Sequence, residues 1–399
     1  MKERVVVLGS HALPKPGNNK IDKSFKQLVV EACYGAIEDA GISPLDIEAA
    51  SFSYFGEGEI GHGGIGPTLV DALGLAPIPS YTNSANCASA HIAFLNGCDM
   101  VQSKRYKYVL VCGFDKHTDL ISLENYMISS DSMYDYSLGM SHIDYLLLSA
   151  EYFKQYNISP AVQQAAMVRF AQLMRENAYC HPIASMYGQP VPTSTQIENM
   201  FFSGNVLSAG EGASAVVLAL ESIAEDTKNP KVYVTGTGHV STSQYAAHRY
   251  HPELLYSDQV RNYSSNFAEA IPLELACKKA YEEAGLTSDD IGILGVYDQA
   301  VNHFLSIEAS GICQKGQAPQ FIIDGKGDLD GVCAINTDGG NIARGHAGGG
   351  ASMYQIIEIS RQLQGRAEGK QINSSVQYGM STVPGGFYST AASVILSKV

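Results

Sequence analysis

Two stretches of this chain, 244 positions apart, carry nearly the same residues. They are "LVVEACYGAIEDAGISPLDI" (28–47) and "PLELACKKAYEEAGLTSDDI" (272–291). Cys33 matches Cys277, Ala36 matches Ala280, Gly41 matches Gly285 and Asp46 matches Asp290. In each copy small and apolar residues recur at helical spacing, a glycine follows where a helix would be capped, and a Ser- or Thr-started turn leads into an apolar run. A repeat of this kind constrains architecture more than any local propensity does, because both copies must find equivalent surroundings.

The parallel continues downstream. The apolar strands "AASFSYFGEG" and "IGILGVYDQA" follow the two copies. The first half then offers the helix "ASAHIAFLNGCDMVQSKRY" and the strands "KYVLVCGF" and "GASAVVLAL". The second offers the helix "GHAGGGASMYQIIEISRQLQG" and the strands "SSVQYG" and "AASVILS". We therefore expect two α/β halves, residues 1–225 and 230–399, related by a pseudo-twofold axis. The first half is longer, and the excess falls at about 118–205. That segment is rich in Tyr and Met and reads as a lid or substrate wall over the core.

Composition narrows the function classes. At 399 residues the chain exceeds one ordinary domain, and 39 glycines imply many tight turns or close approaches. A formal charge of −14, with no cluster of Lys and Arg, argues against a nucleic-acid partner. "MKERVVVLGSHALP" reads as a first strand rather than a signal peptide, and no apolar run is long enough to span a membrane. Eight cysteines stand singly with no CxxC pair, which disfavours a zinc site or a disulfide framework and suggests a reducing, cytoplasmic compartment. The glycine-rich run at 58–67 lacks the Lys and Ser/Thr of a phosphate-binding loop and reads as turns or an interface.

Chemistry enters through the two helix starts that the pseudo-symmetry would bring together. Cys87, in "TNSANCASAHIAF", precedes one; His346, in "NIARGHAGGGAS", precedes the other. Each has a plain structural reading, a buried gap-filling thiol and a loop histidine. As a pair they suggest a nucleophile acidified by a helix N-terminus, beside an imidazole that takes its proton or stabilises an enolate.

These residues carry a resemblance. "NCASA", "EGASAVVLA" and "NTDGGNIARGHAGGG", in that order, are similar to the thiolase superfamily, in its sterol-carrier-protein-thiolase-like branch. Asn86-Cys87 matches the acylated-cysteine motif. Asn336, Gly339, Gly340, Gly345, His346 and Gly348 match "NxxGGxxxxGHPxGxxG", with Ala347 where proline is usual. The resemblance implies a five-layered αβαβα thiolase fold, homodimerisation, and coenzyme A as substrate with no bound cofactor. Segments such as "YDYSLGMSHIDY" and "YGQPVP" resemble thiolase-type subunits that work with a small OB-fold, zinc-ribbon partner, which would hold the only zinc. The implied reactions are cleavage or formation of a bulky or aromatic β-ketoacyl-CoA of the benzoylsuccinyl-CoA kind, or C-acylation of a phenol of the acetylphloroglucinol kind.

The departures matter as much. The C-terminal loop "SSVQYGMSTVPGGFYST" lacks the second cysteine of ordinary thiolases, and "VYDQAVNHF" stands where the branch has "HDCF". The candidate catalytic set is therefore Cys87 and His346 with Tyr297 and Asp298. His142, Asn336, Gly348 and Gly386 are candidates for the substrate. Asp298 reads equally as a structural cap, His142 as a surface or interface residue and His303 as helix surface or core. Loss of the second cysteine also keeps open a non-catalytic, thiolase-like scaffold.

Overall fold

The repeat folds twice into the same unit. Its first helix, Phe25–Ala40, is capped by Ser24, whose hydroxyl accepts the Gln27 N–H, and ends at Gly41 with φ 73°. The equivalent helix, Ile271–Ala284, ends at Gly285 with φ 66°. Both glycines sit where a side chain would be strained. In the turns that follow, the Asp46 and Asp290 carboxylates accept the N–H of Ser43 and Thr287, each at 2.8 Å.

The computed structural model describes residues 3–56, 60–61, 63–116, 119, 141–203, 210–224, 227–242, 268–299, 302–386 and 388–399. Its strands are β1 (Val5–Ala12), β2 (Ala49–Ser53), β3 (Ser80–Asn83), β4 (Val109–Asp115), β5 (Gly212–Leu220), β6 (Tyr233–Ser241), β7 (Ile291–Gly295), β8 (Ala334–Ile335), β9 (Tyr378–Gly385) and β10 (Thr390–Ser397). Its longer helices are α1 (Phe25–Ala40), α2 (Ile65–Ala72), α3 (Ser89–Gln102), α4 (Ser141–Gln155), α5 (Pro160–Tyr179), α6 (Ser194–Ser203), α7 (Ile271–Ala284), α8 (Asn302–Ala309), α9 (Ala318–Ile323) and α10 (Ala351–Leu363). None of the described helices is long and apolar enough to cross a membrane.

The strands form one sheet in the order β3-β2-β4-β5-β1-β6-β10-β9-β7-β8. Read outward from the middle, its two halves are the same. β1 and β6 run antiparallel to β5 and β10, which run antiparallel to β4 and β9. β4 and β9 are parallel to β2 and β7, and these to β3 and β8. Among the described strands, β1 and β6 pair across the middle at Val5–Val234 and Val6–Tyr233, a short seam.

What binds the halves is a shared helix layer. α1 packs on β1, β5 and β4, and α7 on β6, β10 and β9. Between the half-sheets lie α3 and α10, and all residues of α10 are buried. A helix with charged residues can be buried all round only if each charge finds a partner. Glu358 meets His181 at 3.0 Å, and Arg361 donates to the Ser10 carbonyl at 2.9 Å. The layers thus run α, β, α, β, α, as expected.

Two expectations need adjusting. The strand read at 374–379 instead starts at Tyr378 and runs to Gly385, because Asn373 turns the chain by accepting the Ser375 N–H. The strand also passes through Pro384, which lies beyond its last pair with β7, so on that side no ladder bond is lost. The excursion's described part, 141–203, is helical, and α5 packs against α6, α9 and the Gly340–Arg344 turn. Residues 117–118, 120–140 and 204–209 lie outside the described residues.

Close helix-on-sheet contact is also duplicated. A side chain at Gly9 of β1 would run into the backbone of Ala36 and Ala40; one at Gly236 or Gly238 of β6 would run into Ala280 or Ala276. Gly238→Ala is expected to lower stability by about 2 kcal/mol by forcing α7 off the sheet, read as the urea midpoint. Gly63→Ala, which meets open space, serves as the neutral control.

Candidate active site

Cys87 sits on a tight elbow between β3 and α3. Asn86 takes φ 52°, a left-handed conformation asparagine tolerates better than most residues. Ser89 closes the elbow: its hydroxyl accepts the Ala85 N–H at 2.7 Å and donates to the Asn86 carbonyl at 2.6 Å. The thiol is buried among Phe55, Ala88, Tyr297, Val383 and Ala392. The apolar Val383, which stands beside it, lies in β9, in the stretch that carries no second cysteine.

His346 comes from the other half. It follows the Gly340–Arg344 turn and Gly345, where φ is 108° and a side chain would collide with the Pro16 carbonyl. Its Nδ1 accepts the Gly348 N–H at 3.3 Å, and its Nε2 makes a short hydrogen bond with the Tyr297 hydroxyl. With an N–H aimed at Nδ1, the neutral ring carries its proton on Nε2 and donates to Tyr297. The Tyr297 hydroxyl in turn hydrogen-bonds Cys87. Cys87, Tyr297 and His346 therefore form one line from the first half to the second.

One expectation is corrected here. Cys87 is not an acidified thiol: burial pushes it up to about 11, outweighing the Tyr297 hydrogen bond that favours the thiolate. It lies two residues before α3 begins, in an apolar pocket, and at neutral pH it keeps its proton. Reaction needs a proton acceptor along the line.

The other candidates fall into separate roles. Asn336 clamps the residue before Tyr297: its amide accepts the Val296 N–H at 2.8 Å and donates to the Val296 carbonyl at 3.0 Å. The Asp298 carboxylate accepts the Asn341 and Ile342 N–H groups at 2.7 and 3.1 Å, and burial pushes it up to about 6. Gly348 has φ 52° and Gly386, just past β9, φ 56°. His142 lies in α4, and its side chain is outside the described residues. His303 is buried and stacks on Phe170, as the core reading anticipates.

Sequence reasoning missed a buried polar chain under Tyr297. His91 Nε2 meets Ser381 Oγ at 2.9 Å, Ser381 donates to Gln355 at 3.0 Å, and Gln355 donates to the Val296 carbonyl at 2.8 Å. Burial lowers His91 to about 3, so it stays neutral. The available signal was a histidine, His91, among the small and apolar residues at the start of α3. No group of three or more His, Cys, Asp or Glu among the described residues is placed to hold a metal.

Comparison with known proteins points to the same fold. Residues 259–398 match the family described as "Thiolase C-terminal domain-like". The chain is 29% identical to an acetyl-CoA acetyltransferase of Methanothermobacter thermautotrophicus, over 94% of this chain and 95% of that one. It is 24% identical to human sterol carrier protein 2, over 92% of this chain and 67% of that one. Among solved structures, the Ltp2-ChsH2(DUF35) aldolase superposes with a TM-score of 0.77 at 18% identity, covering 99% of this chain and 97% of that one. A monomeric SCP2-thiolase-like protein type 1 from Mycobacterium smegmatis gives 0.72 at 15%, covering 99% and 77%. Residues 259–398 thus carry a thiolase-type C-terminal domain. Along its whole length the chain is similar to thiolases and to SCP2-thiolase-like proteins.

Proposed function

We propose that the chain is a thiolase subunit that transfers an acyl group between Cys87 and coenzyme A, acting on a bulky or aromatic β-ketoacyl-CoA. The line Cys87–Tyr297–His346 carries this reading. As the sulfur attacks the keto carbonyl, the thiol proton passes to the Tyr297 oxygen, held by the His346 Nε2–H, while the Tyr297 hydroxyl gives its own proton to the departing enolate, and the developing oxyanion is held by backbone N–H groups of the elbow. The carbon–carbon bond breaks, the enolate half takes the proton and leaves as the shorter acyl-CoA, and the acyl group stays on Cys87 as a thioester. The thiol of a second coenzyme A then releases it and returns a proton to Cys87. His346 also stabilises the enolate oxygen. Asn336 and Asp298 act at one remove, holding Tyr297 and the His346 turn, while Gly348 and Gly386 keep the approach open.

The curated relative named acetyl-CoA acetyltransferase supports acyl transfer. A neighbour solved with a DUF35 partner supports a hetero-oligomer, in which a small OB-fold, zinc-ribbon subunit joins a homodimer of this chain. Intact mass after mixing with a panel of acyl-CoAs, with and without such a partner, tests the reading. Wild type should gain one acyl group and Cys87→Ser none. Transfer of that acyl group to a phenol instead of coenzyme A would favour C-acylation. That neighbour is named an aldolase, and Val383 rather than a cysteine packs beside Cys87; carbon–carbon cleavage that survives in Cys87→Ala would therefore favour a retro-aldol reaction. No acylation and no cleavage with any donor would favour the scaffold.

A further inference from the structure

The last residue of β4, Asp115, is fully buried where the two halves meet, and its carboxylate reaches across the joint. Its Oδ2 accepts the Gly349 N–H at 3.0 Å, and its Oδ1 accepts the Lys116 N–H at 2.8 Å. The backbone around it is built for close approach. A side chain at Gly348 would strike the Asp115 carboxylate, one at Gly349 the Tyr54–Phe55 backbone, and one at Gly113 would crowd Gly350. The Gly348–Gly350 turn of the second half is thus wedged against the ends of β4 and β2 of the first. The same turn supplies the N–H that holds His346 Nδ1.

We propose that Asp115 is a positioning residue of this site: it fixes the Gly348–Gly349 turn, and through it the His346 ring, while setting a buried negative charge near Cys87. The first effect makes Nε2 face Tyr297. The second opposes a lone thiolate at Cys87, so the resting sulfur keeps its proton.

The surrounding charges leave this effect to Asp115. The neighbouring Lys116 ammonium is engaged by Glu211 at 2.8 Å and Asp119 at 2.7 Å. Arg344 pairs with Asp338 at 2.7 Å. From α3, His91 is neutral, and on the segment after β7 Asp298 is turned to the Asn341 and Ile342 amides. The Asp115 charge is among the influences that raise the Cys87 thiol.

Asp115→Asn keeps an acceptor for Gly349 and removes the charge; Asp115→Ala removes both. Alkylation of Cys87 by iodoacetamide, followed by peptide mass mapping from neutral to strongly alkaline pH, reads the thiol without any substrate. Both variants should shift the profile to lower pH, by a few tenths of a unit. A second arm rests on the thiolase reading: acyl-enzyme formation should fall at least about tenfold further in Asp115→Ala than in Asp115→Asn, because only the former frees the turn. Alkylation profiles that coincide with wild type, or move to higher pH, overturn the proposal, as does equal acyl transfer by the two variants. Should Asp115→Ala fail to fold, the Asp115→Asn profile decides alone. Shifted profiles with no acylation of any protein, wild type included, leave the positioning role standing and remove the thiolase reading.

Discussion

Tyr297→Phe is expected to slow acyl transfer by ~10²–10⁴-fold without unfolding the protein. The substitution keeps the ring among Phe55, Val383 and Ala392 and deletes one oxygen, so packing is little disturbed. That oxygen is the link between Cys87 and His346. Without it the thiol loses the hydrogen bond that favours its charged form, and its pKa, already about 11, rises further. Alkylation of Cys87 should therefore need still higher pH than in wild type, the opposite direction from Asp115→Asn. His346 Nε2–H is left without its acceptor in a buried place, which costs about 1–3 kcal/mol and should appear as a lower urea midpoint. Coenzyme A release and the alkylation profile are the two readouts. If both match wild type, the proton does not travel through Tyr297.

The largest stability loss should come from Arg344. Its guanidinium is fully buried and donates to Asp338 at 2.7 Å and to Asn341 Oδ1 at 2.6 Å. Arg344→Ala leaves the Asp338 carboxylate buried and unpaired, a loss on the order of 3–5 kcal/mol from a total that is typically about 5–15. Because Arg344 closes the turn that ends at Gly345, the same change should release His346 and abolish acyl transfer. Urea denaturation followed by circular dichroism checks the first effect. Arg4→Ala, which breaks a bidentate pair with Glu221 at the surface, should leave the midpoint almost unmoved. Comparable losses in the two variants would mean that Arg344 is not the keystone of its turn.

Much of this molecule was readable from residue order, and what escaped did so for physical reasons. The capping glycines Gly41 and Gly285 and the turn carboxylates Asp46 and Asp290 act within a few residues of themselves, so a linear pattern reveals them. Pseudo-symmetry then predicts that the starts of two helices converge, and Tyr297 does lie between Cys87 and His346. The state of the thiol was not readable, because it depends on how fully Phe55, Val383 and Ala392 exclude water. Nor was Asp115, whose partner Gly349 is far away in sequence and is found only through backbone geometry. Asn336 was read as a substrate contact because its motif travels with the site. Its amide is instead spent on Val296, a pairing that needs the third dimension to be seen.

The burial of α10 has a consequence for how the chain comes off the ribosome. The strands of the first half are complete once β5 ends at Leu220, yet α10, which covers part of their inner face, is not made until Leu363. At roughly 5–20 residues per second, that face waits many seconds for its cover. During the wait the part of it that α3 does not cover, around the Leu13 and Ala213 carbonyls to which Tyr354 of α10 later donates, stays open to other surfaces nearby. Production of this protein should therefore respond to chaperone supply and to translation speed over the second half of the message.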